Sequence, residues 1–289
     1  MGWMSQTWSL SPLWVPVLIL IGIEELGLSR LRTRMNPQRF RRWRIKGYVY
    51  ALALSIVAFI DSSPAMGFSM DHLTAHMIIH IVEMFYIPCV LVVCAPGLPA
   101  LFALPLGARR RYLTWWHRGG GRFLKRSVGR LMVAPLFAIA AFNGAMVLWH
   151  IPRIFNFAMW HPAIHTWVMT PSFIIAGYLF WRVILRSGPW APRGSTRVQL
   201  LEVGVTAAEM LVLAMAMSIF SHSAWYSMNI AMIGSKAAWH DQQFAAGVLW
   251  ICGDLWVIPT IYVILRRLMV TSGSVSDAFE RFLGREVDA

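Results

Sequence analysis

Apolar residues in this chain run on in long unbroken blocks, separated by shorter stretches that are polar and mostly basic. Seven blocks can be drawn, approximately from Leu10 to Leu28, Gly47 to Ile60 (extended upstream to Trp43), His72 to Ala95, Leu131 to Trp149, Ala163 to Leu185, Gln199 to Phe220 and Gln243 to Leu265. A helix needs about 20 apolar residues to cross a hydrocarbon core of roughly 30 Å. The pattern therefore predicts an all-α integral membrane protein with seven transmembrane helices. Tryptophan and tyrosine gather near block ends, as Trp149, Trp160, Trp167, Trp225, Tyr226 and Trp239 do, in the manner of an interfacial belt. Pro88, Pro135, Pro171 and Pro259 fall within or at the edge of blocks and read as kinks, since neighbouring helices can satisfy the backbone groups a proline frees.

Charge turns this pattern into a topology. Apolar residues make up 57% of the 289 positions and charged ones only 13%, yet the net charge is +13. A basic balance of that size invites a nucleic-acid reading. The placement of the charges excludes it: 24 of the 26 Lys and Arg residues lie between blocks one and two (Arg30 to Lys46), between three and four (Arg109 to Arg130), after block five (Arg182 to Arg197) or in the C-terminal segment (Arg266 to Arg285), and only Arg153 and Lys236 fall elsewhere. By the positive-inside rule those basic stretches are cytoplasmic, so the N-terminus is outside, the C-terminus inside and the helix count odd. No Lys or Arg precedes Arg30, so the first block reads as a retained helix rather than a cleaved signal. Residues 1–269 form one membrane domain and 270–289 a cytoplasmic tail. The connection from Pro96 to Arg130 reads as a basic, Trp-bearing segment on the inner membrane surface.

Chemistry concentrates on the opposite side. Eight of nine histidines (His72, His76, His80, His150, His161, His165, His222 and His240) fall at outer block ends or in outer loops, and His117 alone is cytoplasmic. His72, His76 and His80 repeat at i, i+4 and i+8, a ladder along one helix face descending about 12 Å. His161 and His165 repeat the i, i+4 spacing, with which two imidazoles on one helix can ligate one ion. Methionines such as Met77, Met84, Met146 and Met159 lie on the same side, where carboxylates are few. Imidazole with thioether suits copper, Cu(I) above all, better than zinc or iron. Most of the methionines are expected to be packing, and a polar inter-helix network is the alternative to ligation for the histidines. Glu83, three residues past His80, is placed to accept its ring proton. Glu209 and Asp254 are further ionisable groups at depth, whereas Glu24, Glu25 and Glu202 lie near the inner interface, where pairing with loop arginines is expected. Cys89, Cys94 and Cys252 lie inside blocks, away from the histidines, and read as packing. No Ser-His-Asp, Walker or zinc-protease pattern is present.

Several motifs carry a family likeness. His76-Met-Ile-Ile-His80 followed by a proline and Cys-Ala-Pro-Gly-Leu-Pro, the Trp149-His150-Ile-Pro152 turn, His161-Pro-Ala-Ile-His165 leading to Phe180-Trp181, and Asp241-Gln242-Gln243 with Ala246-Gly247 and Trp250 together resemble the cytochrome c oxidase assembly factor CtaG family, in the branch associated with caa-type oxidases. The resemblance spans blocks three to seven. It implies a multi-pass protein of the bacterial plasma membrane that helps mature a haem-copper oxidase, with His76, His80, His150, His161, His165 and Asp241 standing where the family's polar motif residues stand. The function expected is non-enzymatic: copper from a periplasmic donor, held by His76, His80, His161 and His165 with help from His72, His150 or a methionine, and passed to an oxidase subunit. A b-type haem held by two histidines is the alternative. A copper transporter ranks below it, because transporters bind near the midplane and this cluster sits at one rim.

Overall fold

The computed structural model describes residues 8–118, 134–185, 195–272 and 277. Among them the regular structure is helical throughout: α1 Trp14–Arg32, α2 Pro37–Ser62, α3 Pro64–Asp71, α4 Leu73–Cys94, α5 Gly97–Ala103, α6 Leu106–Arg118, α7 Pro135–His150, α8 Pro152–Trp160, α9 Pro162–Leu185, α10 Thr196–Ser218, α11 Ser227–Ile233 and α12 Ser235–Ser272. The second half of the basic connection after α6, the loop after α9 and nearly all of the expected tail lie outside the described residues.

Five helices (α2, α4, α9, α10 and α12) are long and apolar enough to cross a membrane. The pair α7 and α8, bent by 74° where Ile151 adopts extended backbone before Pro152, makes a sixth if it counts as one broken span. The first apolar block becomes α1, whose 19 residues include Glu24, Glu25, Arg30 and Arg32 and so fall short of the same measure. Local chemistry explains the boundaries. Asn36 caps α2 by accepting the Gln38 amide at 2.9 Å, with Pro37 in the first turn, so the second span begins upstream of the expected Trp43. Ser195 caps α10 in the same way. Gly234, at φ 86°, supplies the positive angle that separates α11 from α12.

α4 is the hub. Some 67% of its most apolar stretch is buried, against 25% for α12, and it packs on α2, α3, α9 and α12. The main core gathers around it: Phe85 on α4 meets Phe142 of α7 at 5.0 Å and Trp256 of α12 at 5.1 Å, and Phe142 meets Phe180 of α9 at 4.5 Å between ring centres. Past α4, the short α5 folds back against α1. Gly27 permits this, since a Cβ there would lie 2.0 Å from the Pro99 carbonyl oxygen, and Arg30 donates to the Ala103 carbonyl at 2.6 Å.

The approach of α9 to α4 has a specific cause. Pro88 has no amide hydrogen to offer the Met84 carbonyl. The backbone of Gly177 comes up against that carbonyl, where a Cβ would stand 2.0 Å from the oxygen and 2.7 Å from the Pro88 ring. One residue further on, the Phe85 carbonyl accepts the Trp181 indole N–H at 2.7 Å. Both helices carry a π-turn here, Val82–Tyr86 in α4 and His165–Met169 in α9, each shortly before a proline, Pro88 or Pro171. Two of the four expected kinks, at Pro88 and Pro171, thus coincide with widened turns, a feature that in helices tends to mark functional positions, whereas Pro135 opens α7 and Pro259 lies within α12.

Candidate metal centre

The first turns of α4 set out His76 and His80 on one face, one turn apart, with ring centres 4.3 Å apart and edge to face. The packing of α9 then brings His165, first residue of its π-turn, to 5.3 Å from the His76 ring and 5.2 Å from the His80 ring. All three are buried, and one nitrogen from each lies within 4.8 Å of the other two. Phe155 from α8 stacks edge-on against His76 and Phe173 from α9 lies against His80, which closes the cluster with apolar walls.

What distinguishes these rings is that much of their hydrogen-bonding capacity is unused. Nε2 of His76, Nε2 of His80 and both nitrogens of His165 are buried and have no partner among the described residues. Buried polar atoms are paired in the great majority of cases, so four orphans in one cluster call for an occupant. The His76 ring is hydrogen-bonded to the Ser69 backbone, and His80 is paired at its other nitrogen. Its Nδ1 lies 2.8 Å from Glu83, and the Thr170 hydroxyl donates to the same carboxylate oxygen at 3.4 Å. A carboxylate on the far nitrogen of a ligating imidazole fixes ring and tautomer and leaves Nε2 as the ligand atom. Glu83 is wholly buried. A cation among the three rings would supply the positive charge this carboxylate otherwise lacks.

Three nitrogens around one ion at roughly 2.0–2.1 Å sit about 3.6 Å from each other. The nitrogens of the cluster lie within 4.8 Å of one another, so to reach that spacing the rings would have to draw together. Three neutral imidazoles without a thiolate suit copper, zinc, iron or nickel.

The expected ligands therefore divide. His76, His80 and His165 come together, whereas His161 does not join them: it ends α8 at a break in the helix, is exposed, and turns its Nδ1 to the Phe157 carbonyl at 2.7 Å. The His161–His165 pair does not act as a two-toothed ligand, because the helix restarts between them at Pro162. His72 stacks on Phe68 at 4.1 Å and bonds its carbonyl. His150 is held by the Met146 carbonyl on another side of His80.

Asp241 has a different task. Its carboxylate accepts the backbone amides of Leu73 and Thr74 and the Thr74 hydroxyl, so a residue of α12 caps the N-terminus of α4. Gln242 beside it donates to the Met217 carbonyl at 2.9 Å and accepts the Trp225 amide at 2.7 Å. Spacing alone could not reveal Thr170, Phe155, Phe173 and Gly177 as parts of the site. Pro88 and Pro171, read as kinks, were the visible trace of the two π-turns.

With this geometry in place the comparisons with known proteins can be read. The family model described as cytochrome c oxidase caa3 assembly factor (Caa3_CtaG) matches residues 26–271, most of the chain and every element that builds the cluster. The chain belongs to this caa3 assembly factor family. An uncharacterized protein of Mycobacterium bovis and another of Mycobacterium tuberculosis are similar to it, each 26% identical over 264 residues, which is 87% of this chain. The chain spans 37% of the length of those relatives. No solved structure matches. The caa3 assembly factor match covers α2 through α11 whole, α12 to within one residue of its end and only the end of α1, and so extends upstream of the motif resemblance, which began at the third apolar block.

Proposed function

We propose that this protein is a membrane assembly factor that binds copper at the cluster of His76, His80 and His165 on the non-cytoplasmic side and hands it to a subunit of a caa3-type cytochrome c oxidase. The observation that carries the reading is the set of unpartnered, buried imidazole nitrogens on three rings, with one nitrogen from each ring within 4.8 Å of the other two. Copper is the cargo here, so the donor set should hold it without caging it. Three neutral nitrogens do this, since they leave a position open to an incoming ligand from donor or client and form a weaker site than a closed thiolate cage. Glu83 anchors His80 and offsets the charge of the ion.

The membrane arrangement that goes with this function has seven spans, with α1 as the additional one and α7 with α8 as a broken one. At 19 residues α1 is about 28 Å long, and Arg44 of α2 pairs with Glu25, which reduces the cost of carrying that carboxylate at the membrane. The N-terminus lies outside, the C-terminus in the cytoplasm, and the membrane is the bacterial plasma membrane, where a periplasmic copper donor can reach the cluster. A haem held by these rings fits less well, because Phe155 and Phe173 pack directly against them and the space beside His80 is about 20 Å³.

The test is the double variant His76→Ala with His80→Ala. Divalent copper bound by the purified protein is expected to fall at least tenfold in affinity, and the client oxidase in cells to lose its copper-dependent activity. Unchanged binding together with unchanged oxidase activity overturns the proposal.

A further inference from the structure

One half-buried histidine is not used by the three-ring cluster. His150 closes α7, and its Nδ1 is bonded to the Met146 carbonyl at 2.6 Å. A carbonyl only accepts, so the neutral ring carries its proton on Nδ1 and holds a lone pair at Nε2. That Nε2 is buried and has no partner among the described residues. The arrangement matches the one found at metal-ligating histidines, whose second nitrogen is commonly tied to a backbone carbonyl.

Beside His150 lies a cavity of about 20 Å³, and its wall brings His80 and His150 together with Met77, Met84 and Met146. Methionine is an ordinary filler of cores, and its flexible side chain closes gaps. Here three methionines from two helices border a void instead of closing it. A void of this size admits one water or one ion, and the wall offers a water few of the polar partners it needs. Thioether and imidazole are the donors that select monovalent copper.

We propose that this cavity is a second metal position, specific for a soft monovalent cation, held by His150 with thioethers of Met77, Met84 and Met146. His80 borders both this cavity and the three-histidine cluster, and so connects them. The two positions differ in chemistry. The cluster offers nitrogen alone and accepts divalent ions, whereas the cavity offers mainly sulfur and discriminates for Cu(I) or Ag(I). Only the connection through His80 rests on the proposed function; the cavity stands on its own residues.

The experiment uses the full-length protein in detergent with silver(I) as the probe. In a chain carrying His76→Ala and His165→Ala, one silver ion per chain is expected to remain, with sulfur in its coordination shell by X-ray absorption. Met146→Leu, which keeps the volume, should remove one sulfur and weaken silver binding by about tenfold, and His150→Ala should weaken it similarly. Met146→Leu in the otherwise unaltered chain gives the same reading should the double variant fold poorly. A silver shell without sulfur, or silver affinity within twofold of the parent in both Met146→Leu and His150→Ala, overturns the proposal. Failure of the three-histidine reading looks different, because it shows as absent divalent copper binding in the parent chain, to which Met146→Leu makes no difference.

Discussion

The N-terminal end of α4 carries two polar regions that look alike in sequence and behave in opposite ways. Asp241 and Gln242 have their side chains hydrogen-bonded: the carboxylate holds two amides and a hydroxyl at the start of α4, and the amide of Gln242 ties α10 and the 219–226 segment to α12. Little more than a turn deeper, His76, His80 and His165 are more deeply buried and leave four ring nitrogens unmatched. Both regions belong to the same set of motifs. Filled hydrogen-bonding capacity is what a structural device needs, whereas unfilled capacity concentrated on three adjoining buried rings is what a ligand position offers.

That contrast can be tested from both sides. Glu83→Gln should weaken divalent copper binding by about 10–100-fold, the usual effect of losing the group that orients a ligating imidazole, while leaving the helices intact; a titration of the purified variant reads this directly. Gly177→Ala should disturb both binding and stability. Its Cβ would meet the Met84 carbonyl, and the enforced shift of α9 away from α4 costs about 1–3 kcal/mol while moving His165 off the cluster; thermal unfolding and copper titration of the same sample should both respond. Asp241→Ala should separate the two readouts. Loss of the α4 cap costs about 1–2 kcal/mol, seen as a lower Tm, with copper bound per folded chain unchanged, and a large drop in copper without a change in Tm would reverse the roles assigned to the two regions. His161→Ala, at an exposed ring outside the cluster, should change copper affinity by less than about twofold, within the range of ordinary surface substitutions.

Much of this was legible from the residue pattern. Long apolar blocks gave the helical membrane architecture, and the His76/His80 spacing with Glu83 three residues on gave two of the three cluster rings and their anchor, because spacing within one helix is fixed by the backbone. What could not be read was what depends on contacts between helices. His161 and His165 have the same spacing as His76 and His80, but Pro162 restarts the helix between them and turns one ring outward. Asp241 resembles a ligand in sequence and becomes a cap only because α12 lies beside the start of α4, more than 160 residues away in the chain. The extra turn width at Val82–Tyr86 and His165–Met169, and the close pass at Gly177, are tertiary facts with no periodic signature. The first block illustrates another limit. Its length suits a span, but four charged side chains on α1 leave its standing to be settled by its partners, of which the Glu25–Arg44 pair is one.

His165 offers the most direct test, since neither of its nitrogens is hydrogen-bonded and its removal breaks no structural bond. Divalent copper should be titrated into the parent protein and into His165→Ala, with nitrogen coordination followed by electron paramagnetic resonance. The account predicts one nitrogen-bound copper per parent chain, a loss of at least tenfold in affinity with one nitrogen fewer in the variant, and a Tm that stays put. Identical copper spectra and affinities in the two proteins would contradict it.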